Sequence, residues 1–117
     1  MNATAYYHQK AQRSKYGATP EVVDGIRFHS RREAHRYREL LLLGLAGELR
    51  DLELQPRFPL VVNGVQLGSY VGDFAYVHKD GTRVIEDVKS PVTARLPLYR
   101  WKAKHVLAQY GVQIVEV

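Results

Sequence analysis

Two segments rich in β-branched and aromatic residues, Tyr70–Val77 and Arg83–Lys89, flank the turn Lys79-Asp80-Gly81. A turn this short pairs its flanks antiparallel, and its residue count decides which side chains share a face. As a three-residue loop with Gly81 in the left-handed conformation, it sets His78 opposite Thr82 and Asp73 opposite Asp87. Asp87 and Lys89, two apart on a strand, point the same way. Two carboxylates and one ammonium then converge. As a two-residue Asp80-Gly81 turn it slips the faces by one. Asp73 would then share a face with Glu86 and Val88, and Lys89 would point away.

Helices are expected on either side of this pair. Ser30-Arg31-Arg32-Glu33 reads as a capping box that starts a helix at Arg31. Tyr37, Leu40, Leu41, Gly44 and Leu45 form its apolar stripe, and Gly47 caps it. An extended stretch follows, with Leu52 and Leu54 alternating with Glu53 and Gln55, then Pro56 and Pro59. Val61-Val62-Asn63-Gly64-Val65 predicts a hairpin with a type I′ turn. Ser90–Arg95 reads as a loop. Pro97 opens a second helix with the stripe Tyr99, Ala103, Val106, Leu107 and Tyr110, and Gly111 caps it. A short strand, Val112–Val117, ends the chain. The order is arm, helix, three antiparallel strands, helix, strand. Residues 1–20 form the arm and residues 21–117 a single domain.

Composition narrows the partner. Of 117 residues, 17 are Lys or Arg against 12 Asp or Glu, for a net charge of +5. Eleven of the 17 are Arg, the side chain suited to bidentate phosphate contacts. The excess is concentrated before residue 51, and a polyanion such as nucleic acid is the partner this favours. In the arm, Tyr6, Tyr7 and Tyr16 interleave with Lys10, Arg13 and Lys15, a mixture suited to bases and phosphates. The competing reading is a loose terminus. The longest apolar run, Leu40–Leu43, is far short of the ~18 residues of a membrane span. Met1–Lys10 lacks the apolar stretch of a secretory signal. With no cysteine there is no disulfide, thiolate zinc site or cysteine nucleophile. A cytoplasmic protein is expected, in the host cytoplasm if phage-encoded.

Three features could carry chemistry. Asp73 stands between Val71 and Ala75, where a strand charge needs a partner or an exposed face. Asp87-Val88-Lys89 is a weak pattern alone and is usually a solvated ion pair. Opposed carboxylates repel unless a cation lies between them, and an all-oxygen pair suits a hard divalent metal. Glu33 shares the helical stripe of Tyr37 and Leu40, yet it is also the acidic member of the capping box. His8, His29, His35, His78 and His105 are scattered without a His-x-x-x-His pair, which disfavours zinc. No nucleophile elbow, Walker loop or Rossmann glycine run is present.

A helix glutamate, a strand aspartate, an Asp-x-Lys strand and a helix–strand finish together resemble the PD-(D/E)XK nuclease superfamily. More narrowly, VVDGIRFHSRREAHRY, LRDLELQPRFPL, GDFAYV and VIEDVKS resemble a small phage and prophage family filed as a domain of unknown function. The resemblance covers roughly residues 15–117. Holliday-junction resolvases and transposon-end endonucleases are more distant members of similar size. Gly72 stands where the superfamily's naming proline would precede Asp73. The resemblance implies an α/β fold, a restriction-endonuclease-like mixed sheet with three antiparallel strands and a last strand parallel to its neighbour.

The resemblance also implies roles. Asp73 and Asp87 would ligate Mg²⁺ or Mn²⁺, with the Val88 carbonyl completing the shell. Lys89 would orient or deprotonate the attacking water, and Glu33 would hold a second metal or its water. Gln55 would support the ligands, and Glu86 should point away. The expected activity is metal-dependent DNA endonuclease, structure-selective like a junction resolvase, on duplex or branched DNA. Arg31, Arg32 and Arg36 on the first helix, and Arg100, Lys102 and Lys104 on the second, are candidate phosphate contacts beside Lys10, Arg13 and Lys15. Lys102 and Lys104 diverge around their helix. Cutting two strands symmetrically calls for a homodimer. The rivals are a nucleic-acid-binding module that does not cleave and a component of a phage complex.

Overall fold

The computed structural model describes residues 19–117 as a mixed α/β structure. The part of the arm that carries Lys10, Arg13 and Lys15 lies outside the described residues. The chain divides into two compact units, the first ending at Ala46 and the second spanning Gly47–Val117.

The first unit holds a hairpin, β1 (Glu21–Val23) and β2 (Ile26–Phe28), and helix α1 (Arg31–Leu45). The hairpin was not expected from the sequence. Its turn is Asp24-Gly25, both at positive φ (52° and 77°), the conformation a type I′ turn demands. α1 begins at Arg31 because the Ser30 hydroxyl accepts the Glu33 N–H at 3.1 Å. It gives way to Gly47 at φ 78°, as expected. The stripe differs from expectation at its end. Ala34, Tyr37 and Leu40 are buried, whereas Leu45 is 86% exposed. Tyr37 packs on Phe28 of the hairpin, ring centroids 5.0 Å apart.

The second unit is built on a four-stranded sheet of order β3-β6-β7-β8. Its strands are β3 (Leu49–Leu54), β6 (Phe74–His78), β7 (Arg83–Asp87) and β8 (Ile114–Glu116). β3–β6 and β6–β7 are antiparallel, and β7–β8 is parallel. The parallel step requires a crossover, which α2 (Pro91–Ala94) and α3 (Pro97–Tyr110) supply. α2 replaces the expected loop because Ser90 and Thr93 form a reciprocal cap. α3 starts at Pro97 and stops at Gly111, φ 69°, both as expected.

The remaining strands, β4 (Arg57–Val62) and β5 (Val65–Val71), form a separate two-stranded sheet. Their Asn63-Gly64 turn has φ 49° and 76°, in keeping with type I′. The hairpin is therefore not the first strand of the central sheet; β3 is. β3 carries a register shift between Arg50 and Glu53, with Asp51 at φ 57°. One core joins the two sheets and α3. Phe58, Leu60 and Tyr70 of the hairpin meet Ala75 and Ile85 of the sheet and Tyr99 and Val106 of α3. Leu107 and Tyr110, expected in the α3 stripe, are 46% and 38% exposed. The Tyr110 hydroxyl instead donates to the Pro59 carbonyl at 2.6 Å.

The expected single strand Tyr70–Val77 is broken at Gly72-Asp73. Gly72 donates its N–H to the Pro56 carbonyl at 2.9 Å, and Gln55, at φ 52°, donates to the Asp73 carbonyl at 3.0 Å. A Cβ on Gly72 would lie 3.1 Å from Ile85 Cγ2 and 3.3 Å from Pro56 Cγ. Both neighbours are fully buried and would have to give by a few tenths of an ångström within the packed core. Gly72→Ala should therefore lower stability by about 1–3 kcal/mol. A urea midpoint equal to that of the parent chain would contradict this close approach.

Candidate functional site

The turn after β6 is the odd one. His78 donates its N–H to the Thr82 carbonyl at 2.8 Å, and Gly81 sits at φ 90°. The ladder then runs Val77↔Arg83, Tyr76↔Val84, Ala75↔Ile85 and Phe74↔Glu86. The ladder ends there; Asp73, one residue before β6, donates its N–H to the Glu86 carbonyl at 3.0 Å, and Asp87 lies on the Ile85 face of β7. Glu86 falls on the other face, where it is buried and accepts a hydrogen bond from the Tyr76 hydroxyl.

Asp73 is half-buried in the break between β5 and β6, not in mid-strand. Its Oδ2 accepts the Val88 N–H at 2.7 Å, which ties it to the end of β7. Asp87 is buried. Its Oδ1 lies 3.1 Å from Lys89 Nζ, and its Oδ2 accepts a hydrogen bond from the Tyr70 hydroxyl. The side chains of Lys89 and Asp87 are 20% and 5% exposed, so this is not a solvated surface pair. The backbone of the Asp-x-Lys segment is fixed as well. Val117 donates to the Asp87 carbonyl at 3.0 Å and accepts from the Lys89 N–H at 3.2 Å.

Three further groups complete the cluster, and none was singled out from the sequence. In an unbroken strand Tyr70 and Asp73 would face opposite ways, but the chain breaks at Gly72-Asp73 and the Tyr70 hydroxyl donates to Asp87. Burial, followed by the neighbouring Asp87 charge, pushes its hydroxyl far above the ordinary tyrosine range, so it stays a donor. Tyr99 lies under Lys89, whose Nζ is 4.4 Å from the ring centroid. The Tyr99 hydroxyl donates to Glu116 Oε2 at 2.8 Å, and burial followed by this bond also raises its pKa. The signals were present: two tyrosines near an Asp-x-Lys strand, each also readable as an ordinary core aromatic.

The other candidates are placed as follows. Glu33 belongs to the first unit, at the third position of α1. Gln55 is half-buried at the turn that holds Asp73. Arg31 and Arg32 are exposed on α1, while Arg36 lies 3.7 Å from Glu39. On α3, Arg100 and Lys104 are exposed. Lys102 turns inward and donates to the Ser69 carbonyl at 2.9 Å, so it diverges from Lys104 as expected. Among the described residues, no three His, Cys, Asp or Glu side chains form a group that could hold a metal. No helix of the described residues is long and apolar enough to cross a membrane.

The end of β7 therefore brings together the carboxylates of Asp73 and Asp87, the Lys89 cation and the Tyr70 phenol, with Tyr99 and Glu116 beside them. Each carboxylate oxygen has two lone pairs, so an oxygen with one protein donor keeps acceptor capacity. That chemistry suits a hard divalent ion, which takes few protein carboxylates together with water and substrate oxygens. No curated protein and no solved structure matches the chain. The family model described as "Protein of unknown function (DUF1064)" matches residues 13–114, and the chain belongs to that family.

Proposed function

We propose that the chain is a metal-dependent DNA endonuclease of the PD-(D/E)XK type, structure-selective like a junction resolvase. The observation that carries this reading is that Asp73, held by the Val88 N–H, and the buried Asp87–Lys89 pair stand together at the end of β7. Asp73 and Asp87 would hold Mg²⁺ or Mn²⁺, which when bound neutralises phosphate charge and activates water near neutral pH. Lys89 places a positive charge beside Asp87, where it orients the attacking water and pairs with charge developing on the phosphate. Tyr70 holds the Asp87 carboxylate in place, and Tyr99 seats Lys89. Arg100 and Lys104 contact phosphates, and Arg100→Ala or Lys104→Ala should each reduce the salt dependence of DNA binding by about one unit. A homodimer would present two such sites to two strands.

The test is purified chain with Mg²⁺, offered linear, nicked, flapped and four-way DNA side by side. Cleavage that EDTA abolishes, fastest on a branched substrate, is the expected result. A second reading is a DNA-binding module that does not cut. It is favoured by the two-carboxylate donor set, with no metal-holding group of three among the described residues. Salt-dependent binding without cleavage in either Mg²⁺ or Mn²⁺ would select it.

A further inference from the structure

Between Asp87 and Glu116 the chain has no Asp or Glu, yet it carries Lys89, Arg95, Arg100, Lys102 and Lys104. α3 lies wholly inside this acid-free stretch. Its inner face is Tyr99, Ala103 and Val106, packed in the core. A helix turns about 100° per residue, so Trp101 and Lys104 fall on the outward side, with Arg100 on its flank. The exposures agree. Trp101 is 52% exposed, and Arg100 and Lys104 are exposed beside it. The indole meets the His105 ring edge-on, centroids 5.6 Å apart at 61°.

An exposed indole flanked by cations, with no carboxylate in the segment, has a specific chemistry. An aromatic face stacks on a nucleobase whatever its identity, and neighbouring cations pair with the phosphates on either side. In a duplex the base faces are covered by their neighbours, so a duplex could use the cations but not the indole. We infer that the outward face of α3 binds unpaired nucleotides, with Trp101 stacking on a base and Arg100 and Lys104 engaging the flanking phosphates. The inference rests on the reading that the chain acts on DNA, and it narrows the substrate to DNA with a single-stranded or branched segment. Charge argues against a second copy as the occupant. Two copies of this face would bring like charges together, which opposes association.

Trp101 is the single tryptophan of the chain, so its emission reports on this position directly. The full chain is titrated in EDTA with a short oligothymidylate and, separately, with a duplex of the same length. The single strand should quench the emission saturably, and the duplex should quench it little. By anisotropy of a labelled strand, Trp101→Ala should bind oligothymidylate about ten-fold more weakly, and Trp101→Phe within about three-fold of the parent. Circular dichroism checks that both variants fold, and the Phe variant keeps a ring should the Ala variant fail.

The inference is overturned by unchanged emission where anisotropy shows binding, by equal quenching from the duplex, by unimpaired Trp101→Ala, or by no binding at all. An emission change with protein concentration alone would make the face a contact between copies, and would also overturn it. Cleavage in Mg²⁺ is a separate readout. Quenching without cleavage removes the nuclease reading and leaves this surface, whereas cleavage without quenching does the reverse.

Discussion

Asp73→Asn and Asp87→Asn should each reduce Mg²⁺-dependent DNA cleavage by on the order of a hundred- to a thousand-fold, and Lys89→Ala by a similar factor. Asn is nearly the shape of Asp, so the loss would be one of charge and ligation, not of packing. Asp73→Asn can keep its carbonyl oxygen on the Val88 N–H, which is 2.7 Å away in the parent chain. Its unfolding midpoint should therefore stay close to that of the parent. Asp87→Asn sits against Lys89 and Tyr70, and some stability should go with the activity. Cleavage at the parent rate in any of the three would remove that residue from the site. Nicking of supercoiled plasmid, read on a gel at several metal concentrations, measures all three effects.

The second large effect concerns alkaline pH. Burial and the Asp87 charge raise the folded pKa of Tyr70 far above its value of about 10 in an unfolded chain. A raised folded pKa means the folded state keeps a proton that the unfolded state gives up. The associated stability is full below about pH 10 and is lost as pH rises above it, by up to about 1.4 kcal/mol per pH unit for this one group. Tyr70→Phe should show two opposite effects. At neutral pH it should be less stable by about 1–3 kcal/mol, because buried Asp87 loses the Tyr70 donor on Oδ2. Above pH 10 its stability should fall less steeply than that of the parent, so the two curves converge. Urea unfolding at neutral and alkaline pH would show this, and parallel curves would contradict the raised pKa of the buried Tyr70 hydroxyl.

The parts of this fold legible in the sequence are those set by local chemistry. Ser30, Gly47, Pro97 and Gly111 mark helix ends through capping and backbone preference, and the helices end there. Asn63, Gly64 and Gly81 take left-handed positions that few side chains tolerate, and they mark where the chain turns. Of the two turn lengths the sequence allows after β6, the backbone adopts the three-residue one, with Gly81 left-handed. The illegible parts are set by tertiary contact. Tyr70–Val77 has the composition of one strand, and nothing local announces that Gly72 must approach Pro56 and Ile85. That break separates β5 from the central sheet, and it also delivers Tyr70 to Asp87.

Other differences have equally physical origins. β3 was visible only as an alternating stretch, because its bulge at Asp51 disrupts the strand period. The hairpin of β1 and β2 carries the turn signal Asp24-Gly25, but strands of three residues each are too short to show an alternating pattern. Tyr99 was readable as a core aromatic by its helical spacing, and it is one; its second role, under Lys89, depends on β7 and α3 meeting in space. Glu116 is far from Asp87 in sequence and gives no local cue at all. It enters the cluster because the parallel register sets it beside Asp87.

The claim that Asp73 and Asp87 serve one metal is tested most directly by locating that metal. Crystals grown with Mn²⁺ and a short DNA, measured at the manganese edge, should show an anomalous peak between the two carboxylates. The ion should lie about 2.0–2.6 Å from an oxygen of each, with Lys89 beside it. No peak there at saturating Mn²⁺, or a peak held by other residues while the same protein cleaves DNA, would contradict the assignment.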